Sequence, residues 1–271
     1  MLLVSRRTVY LGMKKMKNKI KILCGAVAMV IAGQVSATTD WGLTVGSVSA
    51  GGATVTSTGW ADTGTGTPRL LEQQTAPNNF VRYDGGLGIN NRDGCSRGSA
   101  CDVGDTLNSA PEHALDNNQR NEMVMLSFSK SVKLTNAKFG WIGTDSDYTV
   151  MAYTGAGAPA TLAGKTWGAL GAGWVSIGNY SDAVRNANNS INAGNAYSSY
   201  WLIGAYNAAA NPGGGNVTGT GNDYIKLFSV SGCVSGTVGC TPPGNVPEPG
   251  SLALFGLALV GLFGLRKNQS A

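Results

Sequence analysis

Histidine is nearly absent from this chain: His113 is the only one in 271 residues. Zinc sites built on paired histidines are excluded, and any Ser-His-Asp chemistry would depend on that single residue. No G-x-S-x-G element precedes a helix, so the nucleophile elbow is missing too. Charge is sparse, with 13% Asp, Glu, Lys and Arg. Long helical periodicities are few, and no repeat strong enough for a solenoid is present. What the chain has instead is glycine, 40 residues of it. Glycine serves tight turns and weakens helices, so this composition suits an exported protein rich in strands and turns.

The formal charge of +5 is a property of the ends. Seven basic residues precede Thr38, and Arg266 and Lys267 add two more. Between Thr38 and Gly250 there are 11 basic and 15 acidic residues, a net of −4. A nucleic-acid partner is therefore not expected, because that function needs a basic stripe on the folded domain.

The N-terminus has the order of a secretory signal. Lys14 to Lys21 form the charged region, Ile22 to Gly33 the apolar one, and "VSA" ending at Ala37 a small-x-small cleavage site. The apolar region is short for a membrane span and has no stop-transfer charges after it. Met13 or Met16 would begin a more ordinary signal. Cys24 lies inside the apolar region rather than at its end, which argues against a lipoprotein.

The C-terminus reads "VPEPGSLALFGLALVGLFGLRKNQSA", residues 246–271. Residues 251–265 are uncharged and mostly apolar, and as a helix they would span roughly 22 Å, short of the ~30 Å hydrocarbon core. Arg266 and Lys267 would hold that end on the cytoplasmic side. The order Val246-Pro247-Glu248-Pro249, short apolar helix and basic tail resembles the PEP-CTERM sorting signal of Gram-negative bacteria. The resemblance implies handling by an exosortase, a membrane-embedded cysteine protease-transpeptidase, after passage through the secretion translocon. It implies a cell-surface or matrix destination and association with exopolysaccharide and biofilm.

Between the two ends the pattern has period two. Val124, Leu126 and Phe128 share one side, and Val132 and Leu134 continue it after a Ser-Lys-Ser stretch. Phe139 and Trp141 anchor a further strand, and Tyr148, Val150 and Ala152 another. Residues 200–206 form a short apolar run expected to be a buried strand, and Ile225 and Leu227 oppose Tyr224, Lys226 and Phe228. Short β-branched and aromatic runs between Gly/Asn/Asp-rich separators predict an all-β fold, a single jelly-roll-like β-sandwich over residues 38–241. Residues 242–245 would link it to the sorting signal. Residues 38–77, with Trp41 and Trp60 as anchors, read as an edge hairpin or a loose arm. "SAPEHALDNN" is the one candidate helix, with Ser109 as cap and Pro111 in the first turn. Blocks from Tyr83 to Val230 resemble a group of exosortase-dependent surface proteins, which implies one exported β domain and no catalytic residue.

Four cysteines remain once Cys24 is removed with the signal: Cys95, Cys101, Cys233 and Cys240. An even number in an exported chain suggests two disulfides, and the short separations favour Cys95–Cys101 and Cys233–Cys240 among three connectivities. The spacings do not suit zinc. Acidic residues cluster at Asp102 and Asp105, at Asp116, and at Asp145 and Asp147. Calcium takes six to eight oxygens, and this density suits it, although the EF-hand spacing is missing. No motif requires any other cofactor. Tyr180, Tyr197, Tyr200 and Trp174 are candidates for stacking on sugar rings.

Three function classes remain. The first is a non-enzymatic surface or matrix protein. The second is a carbohydrate-binding module with calcium-pinned loops. The third is an exported polysaccharide hydrolase using paired carboxylates.

Overall fold

A computed structural model describes residues 38–77, 79–90, 113–211, 217 and 222–240. The expected signal with its cleavage point at Ala37, the sorting tail with Val246 to Pro249, Arg266 and Lys267, and Cys95, Cys101, Asp102 and Asp105 lie outside these residues.

The described chain is almost wholly β. In order, the strands are β1 (Thr39–Gly42), β2 (Gly46–Ala50), β3 (Ala53–Ala61), β4 (Glu72–Gln74), β5 (Phe80–Tyr83), β6 (Gly86–Ile89), β7 (Leu115–Asp116), β8 (Glu122–Ile142), β9 (Tyr148–Tyr153), β10 (Trp174–Tyr180), β11 (Asn189–Ser190), β12 (Ser198–Ala205) and β13 (Tyr224–Val234). They form one antiparallel sheet whose main path runs β10-β9-β12-β8-β13-β6-β5.

Strand β8 organises it. At 21 residues it would be about 70 Å long if straight, far longer than an ordinary strand. Its first half, residues 122–128, pairs with β3 along one edge and β12 along the other. Its second half pairs with β13 and, on the opposite edge, with β11. The sequence pattern predicts two strands here, one through Leu134 and a further one at Phe139 and Trp141; the backbone joins them through Thr135 and Asn136.

Val124, Leu126, Phe128, Val132 and Leu134 are all buried, as their even spacing demands. The buried set then switches parity to Ala137 and Phe139. The register explains the switch: Ser231 faces Asn136 and Gly232 faces Leu134, so Thr135 is an extra residue in the ladder. A bulge of this kind bends a strand and re-aims every side chain after it.

One core receives side chains from both halves of β8 and from β3, β6, β9, β12 and β13. The sandwich is therefore a single sheet closed over its own apolar face, with β8 common to both layers. Trp41 lies fully buried in this core, edge-on to Phe128 at 5.1 Å. Its indole N–H donates to the carbonyls of Ala50 (3.1 Å) and Ala53 (3.3 Å). Residues 38–61 are thus strands tied into the sheet: β1 pairs with β13, and the β2–β3 hairpin pairs with β8.

A second cluster covers the other face of β8, β9 and β12. Leu162, Trp167 and Leu170, from the segment after β9, pack there with Trp60, Met123, Met151 and Leu202. This two-sided cover accounts for the continuous apolar run of β12, which is buried from Trp201 to Ala205.

The candidate helix is corrected where it is described. His113 has a positive φ of 53°, and Leu115 and Asp116 form strand β7, paired with Ile225 and Tyr224. Extended pairing with the long β13 satisfies backbone groups that a one-turn helix would leave open.

Cys233 and Cys240 are joined by a disulfide that closes the turn after β13. In the chain-entropy account so small a loop contributes about 2–3 kcal/mol. Two measurements check this frame. Phe139→Ala is expected to cost about 3–5 kcal/mol in urea unfolding, whereas Val184→Thr, at an exposed site, is expected to stay within about 0.5 kcal/mol. Non-reducing mass mapping of the exported protein is expected to return the Cys233–Cys240 peptide pair; four free thiols would contradict it.

Candidate functional site

Of the five predicted acidic ligands, the fold brings Asp145 and Asp147 together and adds Asp223. One carboxylate oxygen from each lies within 4.8 Å of the others. Asp145 and Asp147 stand in the β8–β9 connection, and Asp223 is the residue before β13. A parallel bridge joins Asp145 to Asp223, and the Tyr224 N–H donates to the Asp145 carbonyl at 3.1 Å. Asp116 is one residue removed, in β7, where its Oδ1 accepts from the Asn118 N–H at 2.9 Å. Nothing in the sequence near Asp223 marked it; its partners lie more than seventy residues away.

These carboxylates tie several loops into a knot. The Asp147 N–H donates to Asp223 Oδ1 at 2.9 Å and the Asn117 amide to Asp223 Oδ2 at 2.6 Å. The Asp182 N–H donates to Asp147 Oδ1 at 2.8 Å, and the Asn222 amide to Asp145 Oδ2 at 2.7 Å. Asp223 has no exposed surface. Burial first, and then the charges of Asp145 and Asp147, push its carboxyl up to about 7 despite the N–H donors that oppose them. The arrangement can hold a proton among three carboxylates or present oxygens to a divalent cation.

His113 is buried and stacks on Tyr83, with ring centroids 5.0 Å apart and planes 9° from parallel. That is a packing role.

The four aromatics predicted for sugar contact separate. Tyr180 stacks on Tyr148 at 5.0 Å, and its hydroxyl accepts the Asn192 N–H at 2.9 Å. Burial raises the pKa of both phenols. Tyr180 is thus committed to packing. Tyr197 and Tyr200 line an open groove of about 550 Å³ with Tyr153, Phe128 and serines 129, 131, 198 and 199. Trp174 reaches it only through Tyr153, whose ring it meets at 5.6 Å. Tyr153 also meets Tyr200 edge-on at 6.3 Å. Tyr153, which carries one wall of this groove, was not singled out from the sequence.

The raised Asp223 carboxyl gives the knot a pH signature. Between about 3.8 and about 7 the folded protein holds a proton that the unfolded chain has released. Stability from this group is therefore full below that window and is lost as pH rises through it. Asp223→Asn is expected to gain on the wild type between pH 5 and pH 8 in urea midpoints. A pH-independent gap between the two proteins would exclude a buried proton at Asp223.

No curated protein and no solved structure matches the chain. One protein-family description does, and it concerns the end of the chain rather than these grooves. Residues 245–268 match the PEP-CTERM protein-sorting motif, the stretch that holds the Pro-Glu-Pro triplet, the apolar run and the basic pair. On this motif the chain is an exported PEP-CTERM protein, targeted by an exosortase in a Gram-negative cell envelope.

Proposed function

We propose that this protein is a non-enzymatic component of the cell surface or extracellular matrix, associated with exopolysaccharide and biofilm. The observation that carries the reading is the sorting motif at residues 245–268 behind a disulfide-closed, all-β domain. A rigid sheet with a crosslinked end suits life outside the cell, where folding stability must persist without repair. In this reading Val246 to Pro249 form the processing motif, and the translocon and the exosortase are transient partners.

The test is cellular. Replacing Pro247, Glu248 and Pro249 by alanine is expected to hold the protein at the inner membrane with its tail intact. The wild type is expected to reach the surface with an intact mass lacking the residues after about Pro249. Identical masses and locations for the two would remove the proposal.

A second reading, carbohydrate binding, is favoured by one specific feature. The Tyr153–Tyr197–Tyr200 groove combines aromatic faces with a row of hydroxyls, the mixture that neutral sugars require. In this reading calcium at Asp145, Asp147 and Asp223 would pin the adjoining loops, and a chelator that leaves the melting temperature unchanged would remove that part. Tyr200→Ala is expected to weaken binding to the producer's own exopolysaccharide about tenfold, roughly 1.4 kcal/mol. Unchanged retention in an affinity gel would count against the groove.

A further inference from the structure

The basic cleft at the C-terminal end of β8, beyond the mid-strand residues that line this groove, offers a different chemistry. Its volume is about 680 Å³, and its walls include Arg82, Asp84, Trp141, Arg185 and Lys226. Three cations and one acid meet there, within a body that is net negative.

Lys226 forms its floor. It lies on β13 and is only 9% exposed. Its ammonium lies 4.5 Å from the ring centre of Tyr83 and 5.2 Å from that of Trp141. Burying an ammonium is costly, and two ring faces offset part of that cost. The guanidiniums are also held in place. The Arg185 Nε–H donates to the Gly140 carbonyl at 2.9 Å. An Arg82 Nη1–H donates to the Leu43 carbonyl, and its guanidinium lies 4.8 Å above the Phe228 ring. Each arginine has five N–H donors, so most remain to receive an anion.

The walls stand on strands. Tyr83 ends β5, Trp141 is in β8 and Lys226 in β13, while Arg185 is bridged in parallel to Phe139 of β8. The turn between β5 and β6 sits against β8 so closely that a Cβ on Gly85 would come within 2.5 Å of the Trp141 Cβ, and one on Gly140 within 2.5 Å of the Gly85 carbonyl oxygen. Cations fixed on a rigid frame lose little freedom on binding.

We infer that this cleft binds an acidic saccharide, a sugar chain whose rings bear a carboxylate. The cations would take the carboxylate, while Asp84 and the Asn186 amide, also at the wall, would take hydroxyls. Asp84 disfavours dense polyphosphate, because it would face a second negative group. The volume accommodates one or two sugar rings. The site shares no residue with the tyrosine groove, so the two stand or fall separately.

Calorimetry on the full chain in detergent tests this, with trigalacturonate as the acidic probe, maltotriose as its neutral counterpart, and sodium sulfate as a bare oxyanion. Trigalacturonate is expected to bind about tenfold or more tightly than maltotriose. Raising NaCl from 0.05 to 0.5 M is expected to weaken the acidic probe about tenfold. Arg185→Glu, at an exposed position, and Arg82→Gln are each expected to weaken it about tenfold or more. Val238→Thr, at an exposed site in the turn after β13, is expected to leave it unchanged. A melting curve confirms that each variant is folded, and if Arg82→Gln is not, Arg185→Glu alone decides. No heat with trigalacturonate, equal binding of maltotriose, sulfate binding as tightly as trigalacturonate, or an Arg185→Glu protein of wild-type affinity would each overturn the inference.

Discussion

Strand β8 has to satisfy two hydrogen-bonding edges along 21 residues, and the other strands take their places from that requirement. Backbone N–H and C=O groups buried in a sheet must be paired. Here β3 and then β13 fill one edge, while β12 and then β11 fill the other. So long a strand cannot remain flat under the normal right-handed twist. It bends at the exposed Ser129 and Lys130 and again at the bulged Thr135, and the apolar residues of its two halves reach one core. Without the bulge, Ala137 and Phe139 would point away from that core, because a shift of one residue reverses every later side chain.

The same constraint positions the chemistry. Charged groups that cannot enter the core collect where strands leave it. Near the start of β9 and β13, Asp145, Asp147 and Asp223 are drawn together by a backbone bridge, with their negative charges partly offset by N–H donors from four loops. Beside them on the sheet, β5, β13 and the β10–β11 loop present the cations of the basic cleft, and β8 gives it Trp141. At the bend in β8, where Ser129 and Ser131 are turned outward, the tyrosines of β9 and β12 form the neutral groove. Opposite charges thus occupy separate places on one scaffold, and an acidic body can carry a locally positive cleft.

Local pattern reported the strands well because alternation is a property of neighbours. Val124, Leu126 and Phe128, or Tyr148, Val150 and Ala152, declare a buried face within a few residues. It misread "PEHALDNN" for the converse reason: capping signals are local, but the pairing of Leu115 with Ile225 spans more than a hundred residues and outweighs them. It placed Tyr180 among candidate sugar contacts, since an exposed tyrosine and one stacked on Tyr148 look alike in a linear chain. Asp145 and Asp147 were visible as a pair, whereas Asp223 carried no neighbouring mark.

The sequence by itself determined where this protein is sent. The sorting motif is a contiguous stretch, read as a linear peptide with a charged end, and needs no tertiary contact to be recognised. It also determined that the intervening body is β and that Cys233 and Cys240 are close enough to join. Only the tertiary structure decided that two expected strands are one, that Asp223 completes the carboxylate knot, and that Arg82, Arg185 and Lys226 share a cleft with Trp141. Those associations depend on which edges pair and on the register shifts along β8, and such long-range register leaves no local signature along the chain.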